Sequence, residues 1–298
     1  MKEAMCRVFG SSSNVVVYDG PIRGGGIGSA TINGYKARQC VDCDFVCLDP
    51  VPSNIENFYE TNEYRNKFHN DLDIQGMQDR YDHEQNARVS RIGIEQLRNK
   101  IVADFGAGPG LFLDAVSGVA KETIAIEPSK EYQEYHGERN RKYISFGTDF
   151  LDEEREIDVA TSFDTIEHIL DVKEFIAAMF LCLRRNGKLF LSMPNHMDVV
   201  RLLFPESYES FFYQTSHINY FSNRPARVLL ENAGFEILSI EYLHKYKVDN
   251  LFQWAKHGVP GKFPNGACFD VHFNEHYRAE IERMGIASHL FIRAQKKK

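Results

Sequence analysis

The stretch KIVADFGAGPGLFLDAV, residues 100–116, joins a short apolar run to a glycine-rich turn and then to a helical pattern. A continuous apolar run bounded by turn residues is what a strand buried on both faces requires. Gly106, Gly108 and Gly110 let the backbone come close to a ligand and leave helix N-terminal amides facing it. Glu127 ends the next strand, TIAIEP, about 20 residues on, where an acid can accept both hydroxyls of a ribose.

Outward from this turn the pattern is α/β. KYISFG (142–147), EIDVATSFD (156–164) and KLFLSMPN (188–195) read as further strands. Helical patterns at 110–120, 129–140 and 172–187 alternate with them, the last with Gly187 as its C-terminal stop. RPARVLLENAGF (224–235) adds a helix, and EILSIEYL and ASHLFIRAQ add two more strands. The expected fold is a parallel, Rossmann-like sheet with helices on both faces, over residues 100–298, with a helical insertion at about 245–285. Residues 1–52 read as a small β-module, NVVVYDG and DFVCLD being short strands around a glycine-rich turn region. Residues 53–99 read as a helical lead-in, opened by a capping box from Ser53 to Glu56.

Two cofactor classes fit the glycine turn, a dinucleotide or S-adenosylmethionine (SAM). The dinucleotide fingerprint G-x-G-x-x-G needs a third glycine at position 111, which is Leu111. The D-x-G-x-G-x-G form from Asp104 to Gly110 resembles motif I of the class I SAM-dependent methyltransferases. The resemblance runs over roughly residues 80–240 and implies a seven-stranded sheet and SAM as cofactor, with S-adenosylhomocysteine as product. It implies that Asp104, Gly106, Ala107 and Gly108 form the cofactor turn and that Glu127 and Pro128 lie at the ribose. Asp149 and Phe150, in FGTDFLDEE, fall at the adenine, and Phe163 and Asp164 follow the fourth strand. Arg88, in EQNARVSRI, aligns with an arginine that pairs with the SAM carboxylate. Each position has a plainer reading: a strand-end acid, a turn brace, a core aromatic or a solvated helix arginine.

After the fourth strand, Asp164, Glu167 and His168 are spaced i, i+3 and i+4 and can share a helix face. They resemble the E-x-x-E-H motif of the ubiquinone-pathway O-methyltransferases, whose acids and histidine bind a divalent ion. Mg²⁺ would suit oxygen ligands, but the shorter Asp164 in the first position speaks against it. No metal is expected. A brace for the loop, or a catalytic role for Glu167 and His168 as base or in orienting the acceptor, are the other readings of the cluster. His217, in FFYQTSHINYF, is a candidate base for an acceptor hydroxyl or a histidine packed under a lid. His196 is a third candidate.

Cys40 and Cys43 have the C-x-x-C spacing of a zinc knuckle, and Cys6 marks a second one. Phe9 stands where that knuckle needs its other cysteine, so a degenerate zinc-ribbon-like module without zinc is expected. A net charge of −7 argues against a broad face for nucleic acid. No run suits a membrane span or signal peptide, so a cytoplasmic protein is expected. The segment 217–237 resembles the methyltransferase subgroup found with surface-polysaccharide and small-molecule biosynthesis. That implies a small-molecule acceptor, a hydroxyl of a sugar, nucleotide-sugar or glycan precursor. The alternatives are a metal-assisted O-methyltransferase of a phenolic, quinone-like molecule, and a SAM-binding module without turnover. The methylated atom and the oligomeric state are not legible.

Overall fold

The structure, a computed structural model, describes residues 5–26, 28–53, 55, 74–145, 156–263, 266 and 268–297. Most of the lead-in before Ile74, including Glu56, lies outside them. The chain begins with strands β1 (Asn14–Tyr18), β2 (Ile22–Arg23), β3 (Thr31–Ile32), β4 (Lys36–Cys40) and β5 (Val46–Asp49). A 19-residue helix, Ile74–Ile92, leads to β6 (Ile101–Phe105), β7 (Glu122–Ile126), β8 (Lys142–Ile144), β9 (Ile157–Phe163) and β10 (Leu183–Pro194). The short β11 (Asn219–Tyr220) precedes β12 (Phe235–Leu243) and β13 (His289–Lys296).

Seven strands form the main sheet in the order β12-β13-β10-β9-β6-β7-β8. The five central and outer strands β10-β9-β6-β7-β8 are parallel, and β13 is antiparallel to both of its neighbours. The doubly wound sheet read from the sequence is therefore present. Its continuous apolar strands follow from burial on both faces. Ala103, Phe105, Ile124 and Ile126 point into one layer with Phe175, Ile176 and Met179. Val102, Ala125 and Val159 point into the other with Leu97, Leu113 and Val116. After β8 the chain returns to the opposite side of β6 to lay down β9. That reversal opens a crevice at the C-terminal ends of β6 and β9, where ligands bind in such sheets.

The helix expected to reach Gly187 ends at Cys182. Leu183 is already extended and buried, paired with Ile157 of β9. The chain then turns with Asn186 at φ 63°. A Cβ on Gly187 would lie 2.9 Å from the Arg184 carbonyl oxygen, so this glycine serves a tight turn and not a helix cap.

The N-terminal strands make a second sheet, β1-β4-β5-β11. Its last strand comes from the far side of the chain: Asn219 pairs with Cys47 and Tyr220 with Val46. Helices Val248–His257 and Val271–Arg283 precede β13. No helix among the described residues is long and apolar enough to cross a membrane.

Candidate active site

The turn after β6 is held from beneath. The Gly106 and Ala107 amides donate to the Ile126 carbonyl, and Gly110 donates to Ala107. Gly106, Gly108 and Gly110 have φ of 79°, 53° and 80°, the left-handed region that glycine enters at little cost. Their surroundings differ. A Cβ on Gly106 would lie 2.4 Å from Thr165 Cγ2, and one on Gly110 2.2 Å from Arg141 Nη1. A Cβ on Gly108 would meet nothing within 4 Å. Two glycines are thus demanded by protein packing, and the third faces open space.

Glu127 is 8% exposed, and both its oxygens accept backbone amides: Oε2 from Gly108 at 2.8 Å and Oε1 from Ser129 at 2.9 Å. A carboxylate offers about four lone-pair sites, so one on each oxygen remains for a ligand hydroxyl. Burial pushes this carboxyl up to about 7 against the pull of the two amides. Pro128 sits between these amide-holding residues. Asp104 is also buried and accepts from Thr161 Oγ1 at 2.6 Å, bracing β6 to β9. Burial raises it to about 6. Beneath Gly108, His136 Nε2 meets the Gly108 carbonyl at 3.0 Å, and its Nδ1 meets Arg141 Nη1 at 3.0 Å. Arg141 pairs in turn with Asp114. A guanidinium only donates, so His136 Nδ1 is the acceptor and Nε2–H the donor. Asp149 and Phe150 lie outside the described residues.

After β9, Asp164 takes φ 53° and is held by two cations, Arg88 and Lys245, with the His289 imidazole, which burial lowers to about 3 and so keeps neutral, beside them. Arg88 Nη2 lies 3.0 Å from Oδ2, Lys245 Nζ 3.1 Å from Oδ2, and His289 Nε2 3.9 Å from Oδ1. Burial alone would raise its pKa, but the charges of Lys245 and Arg88 hold it well below the usual carboxylate range. Arg88 also lies over Phe163, its guanidinium carbon 4.7 Å from the ring centroid. Phe163 packs edge-on against Phe112.

Glu167, His168 and His217 converge, with one ligand-capable atom of each within 4.8 Å of the others. His168 Nδ1 donates to the Ser216 carbonyl at 2.7 Å. His168 Nε2 lies 3.9 Å from Glu167 Oε1, and the two imidazoles stack edge-to-face at 4.8 Å. Glu167 Oε2 and His217 Nδ1 are buried without a hydrogen-bond partner among the described residues. Burial and the Asp164 charge push Glu167 well above the carboxylate range. Burial, His168 and Arg23 pull His217 well below its ordinary value, so it is neutral near pH 7. His196 is sequestered, bonded to Tyr213 Oη at 3.0 Å. Asp164 is taken up by Arg88 and Lys245, so a Mg²⁺ ion would not find the three-residue set of the E-x-x-E-H motif. The nearest substitute is His217.

In the N-terminal sheet Cys6, Cys40 and Cys43 come within 4.8 Å, Cys6 and Cys43 sulfurs being 3.6 Å apart. Gly10 (φ 86°) and Asp44 (φ 63°) close the two knuckle turns. Phe9 is 51% exposed and gives no ligand. Three thiols fall one short of a closed tetrahedral zinc site.

The sequence did not point to Thr161, Thr165, His136, Arg141, Lys245 or His289. Lys245 and His289 reach Asp164 only because β12 and β13 pair, with Leu243 opposite His289. A histidine opening a strand beside the site is the faint signal that was there.

The family model described as a methyltransferase domain matches residues 77–240, more than half of the chain. The ubiquinone biosynthesis O-methyltransferase of Pelagibacter ubique (strain HTCC1062) is 26% identical over 105 residues, which cover 33% of this chain and 44% of that protein. The chain thus spans less than half the length of that relative. A chain from the Haloferax volcanii complex between the Trm112 methyltransferase activator and a methyltransferase superposes with a TM-score of 0.54 at 13% identity. That match covers 83% of this chain and 100% of the other. A SAM-dependent methyltransferase of Archaeoglobus fulgidus gives 0.51 at 16% identity, covering 74% and 98%. At such identities these likenesses speak for the fold alone, which agrees with the doubly wound sheet and its glycine turn. Sequence motif, fold and family match coincide on one stretch of chain, and the protein belongs to the methyltransferase-domain family.

Proposed function

We propose that this enzyme methylates a hydroxyl of a small polar acceptor, a sugar, nucleotide-sugar or related glycan precursor. The observation that carries this is the convergence of His217, His168 and Glu167 beside the crevice, with two buried polar atoms unpartnered among the described residues. Buried polar atoms are ordinarily satisfied, and an acceptor hydroxyl supplies both a donor and an acceptor for them. The open space over Gly108 and the spare lone pairs of Glu127 fit the cofactor. SAM supplies an electrophilic methyl group on its sulfonium. The chain's part is to hold the ribose through Glu127, to align the acceptor, and to receive the hydroxyl proton at His217 Nδ1. His168 orients His217 edge-on, itself fixed by Ser216. Arg88 serves chiefly to hold Asp164, and becomes available to the SAM carboxylate only as that ion pair is shared. The test is incubation of the protein with labelled SAM and a panel of sugar nucleotides and free sugars, read by mass spectrometry. Transfer to phenolic acceptors alone would overturn the sugar reading.

The glycine turn gives a separable prediction. Gly106→Ala meets Thr165 at a positive φ and is expected to cost about 2–3 kcal/mol of stability, lowering the thermal midpoint. Gly108→Ala has room and is expected to cost only about 1–2 kcal/mol for its left-handed backbone. Its methyl group projects into the open space instead, so S-adenosylhomocysteine affinity should fall much more than stability does. Calorimetry and thermal unfolding on both variants check this; equal losses of stability would refute it.

The second reading is metal-assisted methylation of a phenolic acceptor. It is favoured by the two imidazoles and one carboxylate within 4.8 Å and by the likeness to the Pelagibacter ubiquinone biosynthesis O-methyltransferase. Activity abolished by a chelator and restored by added Mg²⁺ would select it; on the sugar reading chelation leaves the rate unchanged.

A further inference from the structure

We propose that Arg23 holds an oxyanion of the methyl acceptor, a phosphate or a carboxylate, and so selects for an anionic acceptor. This rests on the reading above that the acceptor sits beside His217.

Arginine stays protonated at any physiological pH and is almost never buried without a partner of opposite charge. Arg23 is only 9% exposed. Its hydrogen-bond partner is neutral: Nη2 donates to Gln214 Oε1 at 2.5 Å. Its guanidinium carbon lies 4.3 Å from the Phe211 ring centroid, and Nε is buried with no hydrogen-bond partner among the described residues. Burial works against its charge, and the groups that favour it are the phenols of Tyr220 and Tyr246, with no carboxylate among them in the described residues. The other arginines near the crevice differ: buried Arg141 pairs with Asp114, and partly buried Arg88 with Asp164. Arg23 is thus a desolvated cation whose counter-charge the described residues do not supply.

Its place is fixed by main chain. The Arg23 amide donates to the Tyr213 carbonyl at 2.9 Å, and its carbonyl accepts from the Thr215 amide at 3.2 Å. The segment so gripped runs on to His217, whose proton affinity Arg23 depresses. β2, which pairs with β3 in a separate two-stranded ribbon, therefore delivers a guanidinium to the loop that carries the candidate base. A guanidinium presents two parallel N–H groups, which match phosphate and carboxylate oxygens. An anion there would supply the missing charge and satisfy Nε.

The test uses the whole protein saturated with S-adenosylhomocysteine. Binding of inorganic pyrophosphate, UDP and glucuronate is measured by calorimetry, with glucose as the neutral control. At least one anion is expected to bind, and Arg23→Gln to weaken it at least about tenfold. S-adenosylhomocysteine affinity should be unchanged. Arg23→Lys keeps the charge but not the fork and should fall between; should Arg23→Gln fail to fold, this variant carries the test. Preference for UDP or for glucuronate tells phosphate from carboxylate. Absence of anion binding to the wild type overturns the proposal, as does equal binding by Arg23→Gln or undiminished binding by Arg23→Lys. If anions bind through Arg23 but no sugar is methylated, the anion site stands and the sugar acceptor falls. If a neutral sugar is methylated at a rate Arg23→Gln leaves untouched, the reverse holds.

Discussion

Glu127→Ala is expected to weaken binding of SAM and S-adenosylhomocysteine at least about tenfold, read by calorimetry. The carboxylate lies at the end of β7 with each oxygen already tied to one backbone amide, Gly108 or Ser129. Those bonds leave a lone pair on each oxygen for the ribose hydroxyls of the proposed cofactor. A charge-assisted hydrogen bond is worth about 1.5–3 kcal/mol, and two hydroxyls would lose theirs together. The substitution also strips the Gly108 amide of its acceptor, so part of the loss comes through the turn. The pH dependence separates the two. Burial raises Glu127 to about 7, and only the ionised form accepts on both oxygens without a proton in the way. As pH falls from 8 to 6 the carboxyl takes up its proton, and wild-type affinity should drop by up to about tenfold. Glu127→Gln has no such proton to gain, and its weaker affinity should stay flat. A wild type without pH dependence, or Glu127→Ala binding as tightly as wild type, would remove Glu127 from the ribose.

The parts of this site that were legible in the sequence are those where function and local structure use the same residues. The D-x-G-x-G-x-G turn must contain glycines at positive φ, and a strand buried on both faces must be apolar throughout, so Asp104 to Gly110 announce themselves. Glu127 is fixed by its position at a strand end. Asp164 was visible as a polar residue at the crevice, but its partners were not. Arg88 stands 76 residues before it and Lys245 81 after it, and no spacing rule connects them. The pairing that brings Lys245 and His289 close belongs to an antiparallel hairpin interrupted by two helices. The helix after Asp171 illustrates a local error of the same origin. Its amphipathic pattern runs on towards Gly187, yet Leu183 is drawn into β10 because its pairing with β9 buries it. Arg23 was read as part of a turn region; only the bridge to Gln214 places it near His217.

His217→Ala is expected to lower kcat by roughly 10²–10⁴-fold, the usual contribution of a positioned base, while S-adenosylhomocysteine affinity stays within about twofold. His217 belongs to the loop before β11 and not to the glycine turn, so removing its ring leaves the cofactor's contacts intact. His168→Ala should differ, because His168 Nδ1 holds the Ser216 carbonyl and thereby the loop itself. It should cost stability as well as rate, with a lowered thermal midpoint. The protonation state sharpens the test. Burial, His168 and Arg23 all lower the pKa of His217, so its neutral form persists far below pH 6.5. The lone pair is therefore available across pH 6–9, and no acid limb near 6.5 should come from this group. The same shift makes it a weak base, which suits proton uptake late, as the new oxygen–carbon bond forms and the hydroxyl acidifies. Near-normal kcat for His217→Ala with the true acceptor would reduce His217 to packing against Phe212 and His168. Alignment of acceptor and methyl group, with His168 beside it, would then have to account for the rate.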